Sequence, residues 1–105
     1  MASSKEYLEY ILDCLSDLDE ISYRPMMGEY ILYYKGKVIG GIYDDRFLVK
    51  ITKAGRELLP DAAEDLPYDG AKPMLSVENT DDRVLMNQLI NAMYGELPLP
   101  KKKKQ

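Results

Sequence analysis

The chain has 105 residues, 14 basic and 18 acidic, with 46% hydrophobic and 30% charged residues, the composition of one globular domain with one core. It holds no histidine and a single cysteine, Cys14, which excludes imidazole-dependent catalysis, an intrachain disulfide and a cysteine-built zinc site. No apolar run approaches the ~18–20 residues of a membrane span and the N-terminus lacks a secretory pattern, so a cytoplasmic protein is expected.

Ser3-Ser4-Lys5-Glu6 reads as a capping box with Ser3 as N-cap. Tyr7, Leu8, Ile11, Leu12, Cys14, Leu15 and Leu18 then recur at helical spacing, predicting an amphipathic helix that ends near Asp19. From Ile21 the period changes. Residues 21–27 form a short strand interrupted by Pro25, hence at an edge or a bend. Residues 28–34, rich in aromatic and branched side chains, read as the next strand. Lys35-Gly36 is a tight turn, and residues 37–43 form a third strand whose Gly40-Gly41 pair implies a bulge or a close approach by another element. Asp44-Asp45-Arg46 turns the chain again into residues 47–51, completing an antiparallel meander.

Thr52 caps a short helix that Pro60 terminates. Residues 61–73 form a long connection, followed by a strand over residues 72–77. Asn79-Thr80-Asp81-Asp82 supplies a cap and two carboxylates at the start of a last helix, with Leu85, Leu89, Ala92 and Met93 as its apolar stripe and Gly95 as its stop. Grouped antiparallel strands between terminal helices predict an α+β two-layer sandwich.

The candidate chemical groups each have a structural role available. Asp44-Asp45 and Asp81-Asp82 sit where a turn and a helix start favour aspartate. Cys14 lies on the apolar stripe beside acidic residues that raise a thiol pKa. No glycine cluster matches a phosphate loop, and neither a metal nor a cofactor is expected. Five tyrosines, Tyr23, Tyr30, Tyr33, Tyr34 and Tyr43, fall in the meander, whose second face a two-layer fold leaves without cover. They serve either as strand formers or as a contact surface. Lys101, Lys102, Lys103 and Lys104 hold four of the basic residues, which leaves 10 basic against 18 acidic over residues 1–100. A body this acidic disfavours nucleic acid outside that tail.

The segment Arg24-Pro25-Met26-Met27-Gly28-Glu29-Tyr30-Ile31-Leu32-Tyr33 is followed by Gly36, the acidic turn Asp44-Asp45-Arg46, a strand ending in Lys50, and Lys72-Pro73-Met74 before the last helix. In that order these features resemble the N-terminal domain of the TfoX/Sxy family, with Met27 where many members have Phe and Glu29 where many have Gly. The resemblance implies a bacterial protein and a secretion-chaperone-like fold with an antiparallel sheet on helices. It also implies a link to transcriptional regulation of natural competence, in which full-length members carry a second domain and act with a cAMP-receptor-type activator. It divides the chain into a stand-alone domain over residues 1–97 and a flexible Pro/Lys tail over residues 98–105.

The leading expectation is a non-enzymatic regulatory or protein-interaction module. Its surface would comprise Arg24, Met26, Met27, Glu29, Tyr30, Tyr33 and Tyr43, shaped by the structural glycines Gly28, Gly36, Gly40 and Gly41. The expected partner is a protein, of transcription-regulator type or a second copy of this chain, with no membrane contact. Two alternatives stay open: nucleic-acid association through the lysine tail, and a small enzyme using Glu29, Asp45 or Tyr43 as acid or base.

Overall fold

The computed structural model describes residues 4–98, so the lysine tail and Ser3 lie outside the described residues. The elements run α1 (Lys5–Cys14), β1 (Ile21–Met26), β2 (Glu29–Tyr34), β3 (Lys37–Ile42), β4 (Phe47–Val49), α2 (Lys53–Leu58), β5 (Glu64–Asp65), β6 (Met74–Ser76) and α3 (Arg83–Tyr94). The strands form one antiparallel sheet in the order β1-β2-β3-β4-β6-β5. The helices supply Leu8, Ile11, Leu15, Met86, Leu89, Ile90 and Met93 to a single core, against Leu32, Ile39, Phe47, Val49 and Leu75 from the sheet. The expected α+β sandwich is therefore the fold.

Two-residue turns generate the meander. Met27-Gly28, Lys35-Gly36 and Asp44-Asp45 all have positive φ at both positions, the backbone of a type I′ hairpin whose twist matches the flanking strands. The first of these departs from expectation: residues 21–27 and 28–34 abut as strands in the sequence reading, because Met is not a turn residue. Met27 nevertheless adopts φ 52° at the hairpin tip.

The helix ends are set by hydrogen bonds. Ser4, not Ser3, caps α1, its hydroxyl accepting from the Tyr7 amide at 3.1 Å. α1 closes at Cys14, with tight turns carrying the chain through Leu18. Thr52 caps α2, as expected, and within the expected Asn79–Asp82 segment it is Asp82, one of the two carboxylates, that caps α3. The α3 stripe is rotated from the expected one. Met86 and Ile90 join Leu89 and Met93 in the core while Ala92 is exposed, because docking on the sheet and α2 selects among adjacent apolar positions. Gly95 ends the helix in right-handed conformation, φ −66°.

α2 has a second anchor. The Glu96 carboxylate, beyond the end of α3, accepts from the amides of Lys53 at 2.9 Å and Ala54 at 2.8 Å. These bonds, the Ala54 amide first, hold its carboxyl below the usual range. A folded pKa below the unfolded one gives stabilisation that is complete above the unfolded value, ~4.3 for glutamate, and is lost as pH falls through the folded value. Asp65, lowered first by its Arg46 hydrogen bond, acts in the same direction. Glu96→Gln is therefore expected to flatten the fall in urea-unfolding stability from about pH 5 downward. A variant with the wild-type pH slope would show that these bonds are not retained in solution.

β3 carries a bulge. Leu32 pairs with Gly40 and Tyr33 with Val38, leaving Ile39 as the extra residue. This rephasing lets Ile39 and Ile42, three positions apart, both enter the helix-side core. The glycine pair thus marks both a bulge and a close approach: an added Cβ at Gly41 would lie 2.5 Å from the Tyr30 carbonyl oxygen and 2.8 Å from the Tyr43 ring.

Candidate functional site

Strand alternation sorts the expected surface residues. Tyr34 is buried in the helix-side core and Tyr30 packs against it, so the side chains two and four residues back along that face point the same way. Tyr23, paired with Leu32, joins them and meets Tyr30 edge-on at 5.8 Å between ring centroids. Arg24, Met26, Glu29, Ile31 and Tyr33 occupy the opposite, second face. The seven expected surface residues are therefore not one patch: Tyr30 lies on the helix side, Met27 projects from the tip at 96% exposure, and the rest share the second face.

The second face is only half open. Leu48 points away from the helices and is still fully buried, on the side of the sheet where the segment between β5 and β6 lies. Pro67 of that segment is buried, and Tyr68 comes within 6.3 Å of the Tyr43 ring. The strap lies over the β3–β4–β6 side and leaves β1 outermost; five of the six β1 residues are exposed, while Glu29, Ile31 and Tyr33 of β2 are half-buried. The long connection over residues 61–73 thus contains a strand, β5, and a cover for the sheet. Neither is announced by a hydrophobic pattern in the sequence. Arg46 holds the strap's entry, donating to the Tyr43 carbonyl at 3.0 Å, to Asp65 at 2.6 Å and to the Leu66 carbonyl at 3.3 Å.

Between strap and sheet runs a groove of about 510 Å³, with Ile31, Val38, Tyr43 and Met74 on the sheet side and Tyr68 and Ala71 from the strap. Lys50 and Lys72 also line it, and no Asp or Glu does.

The acid–base candidates are engaged in structure. Glu29 Oε1 accepts from the Asp44 amide at 3.1 Å, and Asp45 Oδ1 accepts from the Ser4 amide at 2.8 Å at the start of α1. Burial first, and then the neighbouring Tyr68, push the Tyr43 phenol above its usual range, so it stays protonated through neutral pH. Burial also raises the Cys14 thiol against the lowering effect of its Tyr10 hydrogen bond, consistent with its core position. Arg24 and Glu29 do not line the groove with Tyr43. Among the described residues no group of three Cys, Asp or Glu is placed to hold a metal ion, and no helix is long and apolar enough to cross a membrane.

A second feature escaped the sequence reading. Lys37 is buried at the end of β3, its ammonium 4.1 Å from the Tyr94 ring centroid and donating to the Tyr94 carbonyl at 3.1 Å. Lys35 stacks from the neighbouring turn over Tyr34 and Tyr94. A lysine on each side of a Gly turn carries no sign that a helix C-terminus will dock there.

The chain is similar to an uncharacterised 12.7 kDa protein encoded in the trpE 5′ region of Spirochaeta aurantia, 31% identical over 105 residues that cover 99% of this chain and 91% of the relative. No solved structure matches it. The sequence pattern of the TfoX N-terminal domain matches residues 13–91, a span running from the end of α1 through the meander and strap into α3. With the hairpin-linked sheet and the order of motifs along it, that match settles the kinship: this chain belongs to the TfoX N-terminal domain family.

Proposed function

We propose that this protein is a regulatory module that acts by binding another protein, through the bare half of the second sheet face. The observation that carries this reading is β1 itself. Of its five exposed residues, Ser22, Arg24 and Met26 lie on the second face, beside strands whose second-face residues Tyr43 and Leu48 are buried. On this bare surface Arg24 offers a planar, directional cation, and Met26 and Tyr33 offer adaptable apolar contact, with Met27 at its rim. Arginine and tyrosine are the residue types that most often dominate binding energy at protein interfaces. Family membership supports a role in transcriptional regulation connected with competence, with a bacterial cytoplasmic regulator as the partner.

The test is affinity capture from the native cytoplasm with the wild-type chain and with Arg24→Ala/Tyr33→Ala. Truncating a hot-spot residue costs ~2 kcal/mol or more, about 30-fold in affinity, so the variant is expected to lose the specific partner while keeping its thermal midpoint. Recovery of the same partner set at the same yield would discard this surface. A wild-type chain that captures only itself would replace the regulator with a homodimer.

A further inference from the structure

The groove beside the bare face has a charge opposite to that of the rest of the molecule. Over residues 1–100 the chain holds 18 acidic and 10 basic residues, yet two lysines and no carboxylate line this cavity. Neither Lys50 nor Lys72 forms an ion pair among the described residues. Their apolar surroundings include Ile31, Val38, Ile51 and Met74, with Ile51 37% exposed. Apolar walls with unpaired cations at the rim suit a ligand that is itself apolar and anionic.

Both lysines flank the same groove. Lys50 follows directly on Val49, the last β4 residue paired with β6, and Lys72 lies two residues before Met74, where β6 begins. A peptide that carries carboxylates among apolar side chains therefore meets cations and apolar walls in one cavity.

We infer that this groove binds an acidic–apolar segment of the partner protein, its apolar side chains against Ile31, Val38 and Met74 and its carboxylates on Lys50 and Lys72. This rests on the reading of the protein as a partner-binding module, and it adds the chemistry of the segment bound. Ile31 pairs with Arg24 across β1 and β2, so the groove opens directly onto the bare face and one partner can span both.

The experiment is an NMR titration of the ¹⁵N-labelled full chain with acetyl-Asp-Leu-Asp-Leu-Asp-amide, and with the same peptide carrying Lys in place of each Asp. The acidic peptide is expected to shift the amides of Ile31, Val38, Ile51 and Ala71, and to bind about tenfold more tightly than the basic one. Lys50→Glu/Lys72→Glu should weaken it by about tenfold or more, and Lys50→Gln/Lys72→Gln by less, with both variants keeping the wild-type amide spectrum away from the groove. No groove shifts at millimolar peptide, equal binding of both peptides, or indifference to charge reversal would overturn the inference. So would shifts with decanoate in place of the peptide, which mark a small amphiphile site, or burial of these amides by self-association. Peptide failure alongside partner loss in Arg24→Ala/Tyr33→Ala would remove the groove assignment and leave the proposed function standing.

Discussion

Gly40→Ala is expected to remove a large share of the folding stability. An added Cβ at this position would lie 2.1 Å from the Leu48 carbonyl oxygen and 2.7 Å from the Val49 Cα. Both are backbone atoms of the neighbouring strand, so no side-chain rotation relieves the clash. The β3–β4 ladder would have to open at the Gly40–Val49 pair, near the middle of the sheet. Overpacking against movable side chains costs ~1–3 kcal/mol. Displacing a central backbone costs more, about 4 kcal/mol, against a total stability of ~5–15 kcal/mol for a domain of this kind. Gly70→Ala is the matched control: its φ is +85°, but nothing lies within 4 Å of the added atom, so only the backbone cost of ~1–2 kcal/mol applies. Urea unfolding of the two variants distinguishes the effects. Equal midpoints would mean that strand spacing at the bulge is softer than the distances imply.

Lys37→Ala is expected to cost about 3 kcal/mol and Lys37→Met about 2 kcal/mol. The buried ammonium combines a charged hydrogen bond to the last carbonyl of α3 with a contact over the Tyr94 ring, and it places a cation at the negative end of the helix dipole. Methionine keeps the aliphatic packing but loses the charge and, with it, the donor to the Tyr94 carbonyl. Alanine loses the packing as well. The comparison separates packing from electrostatics, and a double-mutant cycle with Tyr94→Leu isolates the cation–ring part. If methionine were as stable as lysine, desolvation of the ammonium would be cancelling everything it gains.

Much of this fold is written locally. Ser4, Thr52 and Asp82 carry side-chain oxygens that satisfy amides three residues on, and because donor and acceptor are neighbours in sequence such caps are readable to within a few residues, Ser3 being expected where Ser4 acts. The Gly40-Gly41 pair is readable for a related reason: two interior glycines in a strand need a cause, and a bulge with close backbone approach provides it. What could not be read depends on distant partners. β5 has only two residues and exists because Met74 and Leu75 pair with it. The strap brings Pro67 and Tyr68 to the second face, and neither has a periodic neighbour to announce it.

The candidate site shows the same division. Alternation alone places Arg24, Met26, Glu29 and Tyr33 together once β1 and β2 are recognised as a hairpin, and puts Tyr30 on the other side. The sequence reading treated the tyrosines as one population because composition has no sidedness. In the sequence, Lys50 and Lys72 stand out only as landmarks of the family resemblance. Their joint position on a groove follows from the β4–β6 pairing, a contact between segments more than twenty residues apart.

Both borders of the sheet are poor templates for another strand. At one, Pro25 removes a backbone donor from β1 beside the charged Arg24. At the other, β5 is two acidic residues long, with its carboxylates held by Arg46 and Arg56. Ribbon-by-ribbon stacking of many copies, the route by which sheet proteins turn into fibrils, finds no clean starting point at either end. The bare flank of β1 and β2 can thus stay sticky without recruiting its own kind into a filament.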